Sequence, residues 1–509
     1  MKKLIVLSLV ALLVLAFGSM AFAQAKKEEP KLDFRASGFI DAMFHAAQNV
    51  PQALPAHANN FFGPIGAFAP GGASYDRKEA YAWGRGRLKF DAIMGKEMMG
   101  TFFFEIDSNQ WGERAGTGAQ RNAAGHWGVA DRAAVEVKQL FITFGMPWIP
   151  VPTTIMAGIH PIGVRPGAFL SADGPGVTAA MKIDPATIKL MWAKIYEGLK
   201  PTSDDSDLYG IEVNAKVGTL TVGGYGINVN SNNYPHPVDS TTVPATTWSV
   251  VNGRSNMWWL GAYMDGKLGP VNINFDFVYD FGKVEDRRDV AKATRFKDVD
   301  YRGWGTIINV GFPWEKFLFG GQFIYGSGAD RKKTNADGMP GVNAVTGAQN
   351  SKMGALALPQ GTEGSPGHSL ILCGSGVNRM GYGYEPGADN GMARATYGGL
   401  WIAKVYAAYK VTPIFSTRFE AYYIGDTTKN GNTIGNAVKP GTSIPRNDKT
   451  IGWEFDLLNT IQLYKNLSFG FGGGILIAGD AMDYRIGTTT TNDSPKNPWA
   501  LYTNLTYSF

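Results

Sequence analysis

Three cations stand at every second position of one short stretch: Arg85, Arg87 and Lys89, within Tyr81–Met94. The opposite parity there carries Leu88, Phe90, Ala92 and Met94. A period of two places the two sets on opposite faces of a β-strand. A face crowded with cations must meet water or carboxylates, and its apolar counterpart must meet something oily. Chemistry of this kind attracts, repels or orients ions without making or breaking bonds. The same parity argument collects further basic residues, Arg35, Lys182, Lys216, Lys404 and Arg418. It collects carboxylates too: Asp41, Asp91, Glu105, Asp107, Glu212, Asp276, Glu420, Glu454 and Asp456. Mixed rings of charge are what tunes ion passage through a water-filled space.

Bond-making chemistry finds little support. The six histidines (His45, His57, His126, His160, His236 and His368) lack metal-ligand spacing. His160 keeps the polar parity of its strand and reads as a satisfied wall residue. No GxSxG accompanies the serines. The glycines of Gly470–Gly474 lie inside a strand with no helix after them, so they are not a phosphate loop. The single cysteine, Cys373, excludes an internal disulfide, and no CxxCH is present for covalent haem. No cofactor is expected, and no metal.

The elements that carry the charged faces are strands throughout. In Val271–Phe281, apolar Val271, Ile273, Phe275, Phe277, Tyr279 and Phe281 alternate with Asn272, Asn274, Asp276 and Asp280. The same alternation predicts strands near 33–44, 81–94, 101–108, 134–144, 153–162, 176–183, 187–196, 207–217 and 219–229. It predicts others near 256–265, 271–281, 301–312, 316–326, 396–411, 414–425, 450–464, 467–479 and 498–509. Connections alternate between short turns, such as Gly95–Gly100 and Lys465–Asn466, and long loops, such as His45–Arg77, Asn109–Arg132 and Ser327–Ala393. About eighteen strands with that rhythm predict a transmembrane antiparallel up-and-down β-barrel, with short periplasmic turns and long extracellular loops. A barrel of this size leaves an aqueous channel. Pro161–Gly176 is rich in Pro and Gly; it reads as a loop folded inward, with Arg165 and Asp173 as its charges, a surface loop or a contact between protomers being the alternatives. Ser327–Ala393 is a second segment able to fold inward as a plug.

The N-terminus has Lys2 and Lys3, the apolar run Leu4–Phe17, and Ala21-Phe22-Ala23 as a cleavage site, the layout of a secretory signal peptide. Residue 24 is Gln and not Cys, so no lipoprotein anchor is expected, and the apolar run is too short to span a membrane. The division expected is 1–23 signal peptide, 24–32 short periplasmic tail and 33–509 a single barrel domain. Removing Lys2 and Lys3 from 48 basic residues against 43 acidic ones lowers the formal charge from +5 to +3. That balance is too mild for a nucleic-acid partner.

Ile451–Leu457 (IGWEFDL), Asn466–Asp480 (NLSFGFGGGILIAGD) and the closing strand to Phe509 resemble the ending of bacterial outer-membrane porins with sixteen to eighteen strands. Within these, the run is similar to the alginate-export-like barrels and related uncharacterised porins. The resemblance implies a Gram-negative outer membrane with its lipid and lipopolysaccharide as surroundings. It implies Phe509 as an assembly signal for the barrel-assembly machinery, and a homotrimer. The expected function is passive diffusion of small hydrophilic solutes or ions. One alternative is a selective channel for anionic saccharides or organic acids; another is a plugged barrel serving adhesion or structure.

Overall fold

The chain folds as one closed antiparallel barrel of eighteen strands. The computed structural model describes residues 31–49, 78–111, 135–197, 205–232, 253–286, 297–333, 351–359, 369–371, 397–486 and 489–509. The signal peptide, most of the N-terminal tail, much of the long loops, Cys373 and His57, His126, His236 and His368 lie outside these residues. The first nine barrel strands are β1 (Leu32–Gln48), β2 (Lys78–Met94), β3 (Met98–Gln110), β4 (Val135–Gly145), β5 (Thr153–Val164), β6 (Leu170–Ile183), β7 (Ala186–Tyr196), β8 (Ser206–Val217) and β9 (Leu220–Ser231). The others are β10 (Gly253–Leu268), β11 (Val271–Asp286), β12 (Trp304–Trp314), β13 (Phe317–Gly326), β14 (Leu400–Lys410), β15 (Phe415–Asp426), β16 (Thr450–Tyr464), β17 (Leu467–Ala478) and β18 (Trp499–Ser508).

Each strand pairs with its chain neighbours, and β18 pairs with β1 from Phe39↔Ser508 to Gln48↔Trp499. Closure ends on the last residue. The amide of Phe509 donates to the carbonyl of Gly38 at 3.0 Å, and the amide of Gly38 donates to the carbonyl of Phe509 at 2.9 Å. No edge is left at the seam, which is how a barrel satisfies its backbone without water.

The outer face is apolar and exposed. On β1, Phe34, Ile40 and Phe44 are open while Asp41 and His45 on the other parity are buried. On β7 and β8, Leu190, Trp192, Ile211 and Val213 are open while Met191 and Glu212 are buried. The polar set is therefore the inner one. Two features depart from simple alternation. On β4, pairing runs Phe103↔Gln139 and then Phe104↔Val137, so Lys138 is the extra residue of a β-bulge. Val135 and Val137 face out before it, and Leu140 and Ile142 face out after it. Lys138 and Gln139 consequently both point inward.

The second departure concerns Pro161–Gly176. It is a hairpin and not the loop expected from its prolines: Ile159↔Pro175, Pro161↔Asp173 and Val164↔Leu170 are paired. Pairing of β5 to β4 stops at Ile159, and pairing of β6 to β7 starts at Gly176. Beyond those points the hairpin has a free edge on both sides, and Pro161 and Pro175 need donate to no neighbour there. Only residues 165–169 form a turn, with Arg165 (φ 52°) and Gly167 (φ 83°) in the left-handed region. A hairpin free of the wall on both sides is able to bend inward.

Candidate functional site

The hairpin tip lies against the β9–β11 wall. Phe169 and Leu170 are buried, and Phe169 stacks on Tyr225 of β9 with ring centroids 4.7 Å apart. Arg165 reaches β10 and β11. Its Nη2 donates to Asp265 Oδ1 at 2.9 Å and to Asp276 Oδ2 at 2.8 Å, with Nη1 and Nε donating to the same two carboxylates. The guanidinium also stacks 4.3 Å over the Tyr263 ring. One Arg satisfying two carboxylates uses the planar donor fork that Lys lacks. Beside it, Lys189 of β7 donates to the Gly163 carbonyl at 2.7 Å and pairs with Glu212 at 2.5 Å, and Tyr263 donates to Glu212 at 2.7 Å. The tip is fastened across the interior by a charged network and an aromatic stack together.

Parts of a second segment lie inside the barrel. Of Ser327–Ala393, residues 327–333, 351–359 and 369–371 are described. Leu356, Ala357, Leu358, Leu370 and Ile371 are buried. At the β10–β11 wall, the Ala357 amide donates to Asp280 Oδ2 at 2.9 Å, and Trp259 Nε1 donates to the Ala357 carbonyl at 2.7 Å. At the β16 wall, the Leu370 amide donates to Asp456 Oδ2 at 3.0 Å and the Ile371 amide to Glu454 Oε1 at 2.7 Å. Residues 351–359 are thus tied to one wall region and residues 369–371 to another, with four strands between them. These are hydrogen bonds from backbone amides to wall carboxylates, each stronger than a neutral pair. Under it, the inward parity of β9 to β13 turns apolar: Ile227, Val229, Met257, Trp259, Ile307 and Ile324 are buried there. The uniformly polar inner wall expected from the sequence is thus replaced by a packed apolar core on this side.

The cation ladder lies on the β1–β4 side. Arg87 Nε donates to Glu105, Arg85 stands 3.6 Å from Glu105, and Lys89 pairs with Asp91 at 3.0 Å. Lys138, from the bulge, pairs with Asp173 at 2.9 Å and stands 3.9 Å from Glu105. Gln139 Nε2 donates to Asp173 at 2.7 Å. Every cation of the ladder has a carboxylate partner, yet their side chains keep 16%, 21% and 34% exposure for Arg85, Arg87 and Lys89. Arg85, Arg87, Lys89 and Lys138 meet Glu105, Asp91 and Asp173 here, and buried Asp41 lies opposite Arg85 on β1. A second charged cluster lies on β14–β16. Lys404 (3.8 Å) and Arg418 (2.5 Å) both pair with Glu420, beside Glu454 and Asp456.

Asp41 is buried on β1. Arg35 is exposed at the short-turn end of β1 and pairs with Asp33 at 3.1 Å. Lys182 and Lys216 are exposed at the same end. Asp107 lies on β3, with its side chain outside the described set. His160 is buried, with Nδ1 3.0 Å from the Pro161 carbonyl and its ring against Phe141. Sequence reasoning left out Lys138, Lys189, Asp265, Tyr263 and Asp280. The signal for Lys138 was the slip of one residue in the Val135, Val137, Leu140, Ile142 spacing. The signal for the tied wall was β10 itself, where Met257, Trp258, Trp259 and Leu260 are apolar on both parities. Among the described residues no group of His, Cys, Asp and Glu is arranged to hold a metal.

No protein-family description and no curated protein matches the chain. Among solved structures it is similar to Pseudomonas aeruginosa OpdQ, at 10% identity and TM-score 0.45, over 94% of this chain and 98% of that one. It is similar to Acinetobacter baumannii OccAB4, at 9% identity and TM-score 0.46, over 95% and 100%. It is also similar to Pseudomonas aeruginosa OccK8 (OprE), at 9% and 0.48, over 94% and 98%. The protein is a closed eighteen-stranded barrel, apolar outside, with an ion-paired interior that holds the β5–β6 hairpin and residues 351–359 and 369–371.

Proposed function

We propose that this protein is an outer-membrane porin: a water-filled channel through which small hydrophilic solutes or ions diffuse passively, narrowed by the β5–β6 hairpin and the 351–371 segment. The observation that carries this is the sorting of the closed barrel's two faces, with exposed apolar side chains outside and ion pairs inside. Only a wall between lipid and water calls for that sorting in a single sheet. A secretory signal peptide, delivery to a Gram-negative outer membrane with Phe509 as assembly signal, lipopolysaccharide as surroundings, and a homotrimer complete the proposal. Catalysis has no part in it.

The outer face supplies a direct check. Leu190→Arg places a charge in the exposed apolar row of β7. It is expected to cost about 2–4 kcal/mol of stability in lipid, read as a fall in folded yield by heat-modifiable gel migration. An unchanged yield would contradict a lipid-facing wall.

Selectivity for anions is the second reading, favoured by the part-exposed cations Arg85, Arg87 and Lys89 on one face of β2. Arg85→Gln, Arg87→Gln and Lys89→Gln together leave the local carboxylates in excess. The cation-to-anion permeability ratio is expected to rise by roughly an order of magnitude at low salt. A reversal potential that does not move would remove the ladder from any role in selectivity.

A further inference from the structure

Seven of the eight short turns carry one lysine each, in the turn or in the two strand residues before it. Lys182, Lys216, Lys267 and Lys410 sit at the ends of β6, β8, β10 and β14. Each keeps the inward parity of its strand, shared with buried Thr178, Glu212, Tyr263 and Lys404. The first three are followed on the outward parity by exposed Ile183, Val217 and Leu268. Lys96, Lys316 and Lys465 occupy the turns themselves. All seven are exposed, and none closes an ion pair with a described carboxylate. The carboxylates described at the turns are Asp33, Glu97, Asp184 and Glu315, Asp33 being paired with Arg35, and those in the next rows inward, Asp91 and Asp265, are paired with Lys89 and Arg165.

Consecutive short turns are two strands apart, or about 10 Å at sheet spacing. That is close to the screening length of about 8–10 Å at moderate salt. Neighbouring lysines are therefore too far apart to grip one compact anion between them, and near enough for their fields to merge into a continuous positive rim. The inward parity aims this field at the barrel mouth and away from the surrounding lipid.

We propose that the lysine ring makes the short-turn mouth an anion-collecting vestibule, which enriches small anions, multivalent ones most, on that side of the barrel. The inference deepens the channel reading and rests on it: the ring gives the channel a charge preference from one side that is separate from the Arg85–Lys89 ladder.

The test reads the field without needing conduction. Thr219, exposed in the turn between Lys216 and the end of β10, is replaced by Cys in a Cys373→Ser background. Rates of modification by an anionic and a cationic methanethiosulfonate reagent are then compared in detergent, on barrels whose folding is confirmed by heat-modifiable migration. Replacing Lys182, Lys216, Lys267 and Lys410 by Gln is expected to lower the anionic-to-cationic rate ratio by roughly tenfold at low ionic strength. The difference should vanish near 1 M salt, where screening acts within about 3 Å. A ratio unchanged by the four substitutions, or a difference that survives high salt, overturns the vestibule. A folded barrel that fails to conduct strikes the channel reading instead, and the reagent ratio still decides whether the mouth collects anions.

Discussion

Arg165→Met is expected to widen the channel and turn it toward cations. Arg165 is the one side chain that holds the hairpin tip to Asp265 and Asp276 together. Met keeps an unbranched apolar stem and removes both the charge and the guanidinium stack on Tyr263. Asp276, 6% exposed, then stands unpaired inside the barrel, a situation that costs about 3–5 kcal/mol when one partner of a buried pair is removed. Two responses relieve it: the tip swings away so that water reaches the carboxylates, or the carboxylates attract cations from the channel. Both raise cation flux. Lysine in place of Arg165 lacks the fork that spans two carboxylates and should restore the closed tip only in part. Adding Asp265→Asn and Asp276→Asn to Arg165→Met removes the stranded charge, so the cation preference should fall back even if the channel stays wide. Single-channel conductance with reversal potential separates the two effects. Wild-type values for Arg165→Met on both measures would show that the hairpin constricts nothing.

Detaching the 351–371 segment is the second large effect. Glu454 and Asp456 hold it at β16 by accepting the Ile371 and Leu370 amides. Hydrogen bonds to charged acceptors contribute about 1.5–3 kcal/mol each. Losing both in Glu454→Ala with Asp456→Ala shifts the tied-to-released equilibrium by about a hundredfold or more. The expected result is a larger conductance with frequent steps between levels, in place of one steady level. Glu420→Gln is the control. It removes a carboxylate from the same cluster, where Lys404 and Arg418 pair with it, but among the described residues Glu420 accepts no hydrogen bond from the segment, so selectivity should move while step size does not. Equal conductance in the double variant and the wild type would mean that the segment does not limit the channel.

Much of this architecture was legible because the outer face repeats one physical demand along every strand. Rows such as Leu88, Phe90, Ala92 and Met94, or Val271 to Phe281, fix strand, face and number at once. The eighteen strands and the short/long rhythm of their connections follow from that alternation. The interior is harder to read, since what an inward residue touches is set by segments distant in sequence. Trp259 and Met257 are apolar inward residues because the 351–371 segment covers them, and nothing local to β10 names that cover. Asp280 sits in the polar row of the clearest strand, yet its role as acceptor for Ala357 and Gly303 depends on chain folded back against it. Pro161 and Pro175 suggested a loop, because proline is excluded from strands paired on both sides; here the hairpin outruns its neighbours and the exclusion does not apply. Arg85, Arg87 and Lys89 were legible as one parity of β2, while their pairing with Glu105 and Asp91 depends on what lies beside them, and the fourth cation, Lys138, on the bulge of β4.

The central claim is that water and ions pass through this barrel despite the two segments inside it. The most direct measurement is single-channel recording of the purified, folded protein in a planar bilayer under a salt gradient. The account predicts discrete, steady conductance steps with a reversal potential displaced from zero, and steps that grow in Arg165→Met and in Glu454→Ala with Asp456→Ala. Electrical silence from correctly folded wild-type barrels would contradict it, and would leave a plugged barrel with a structural or adhesive role.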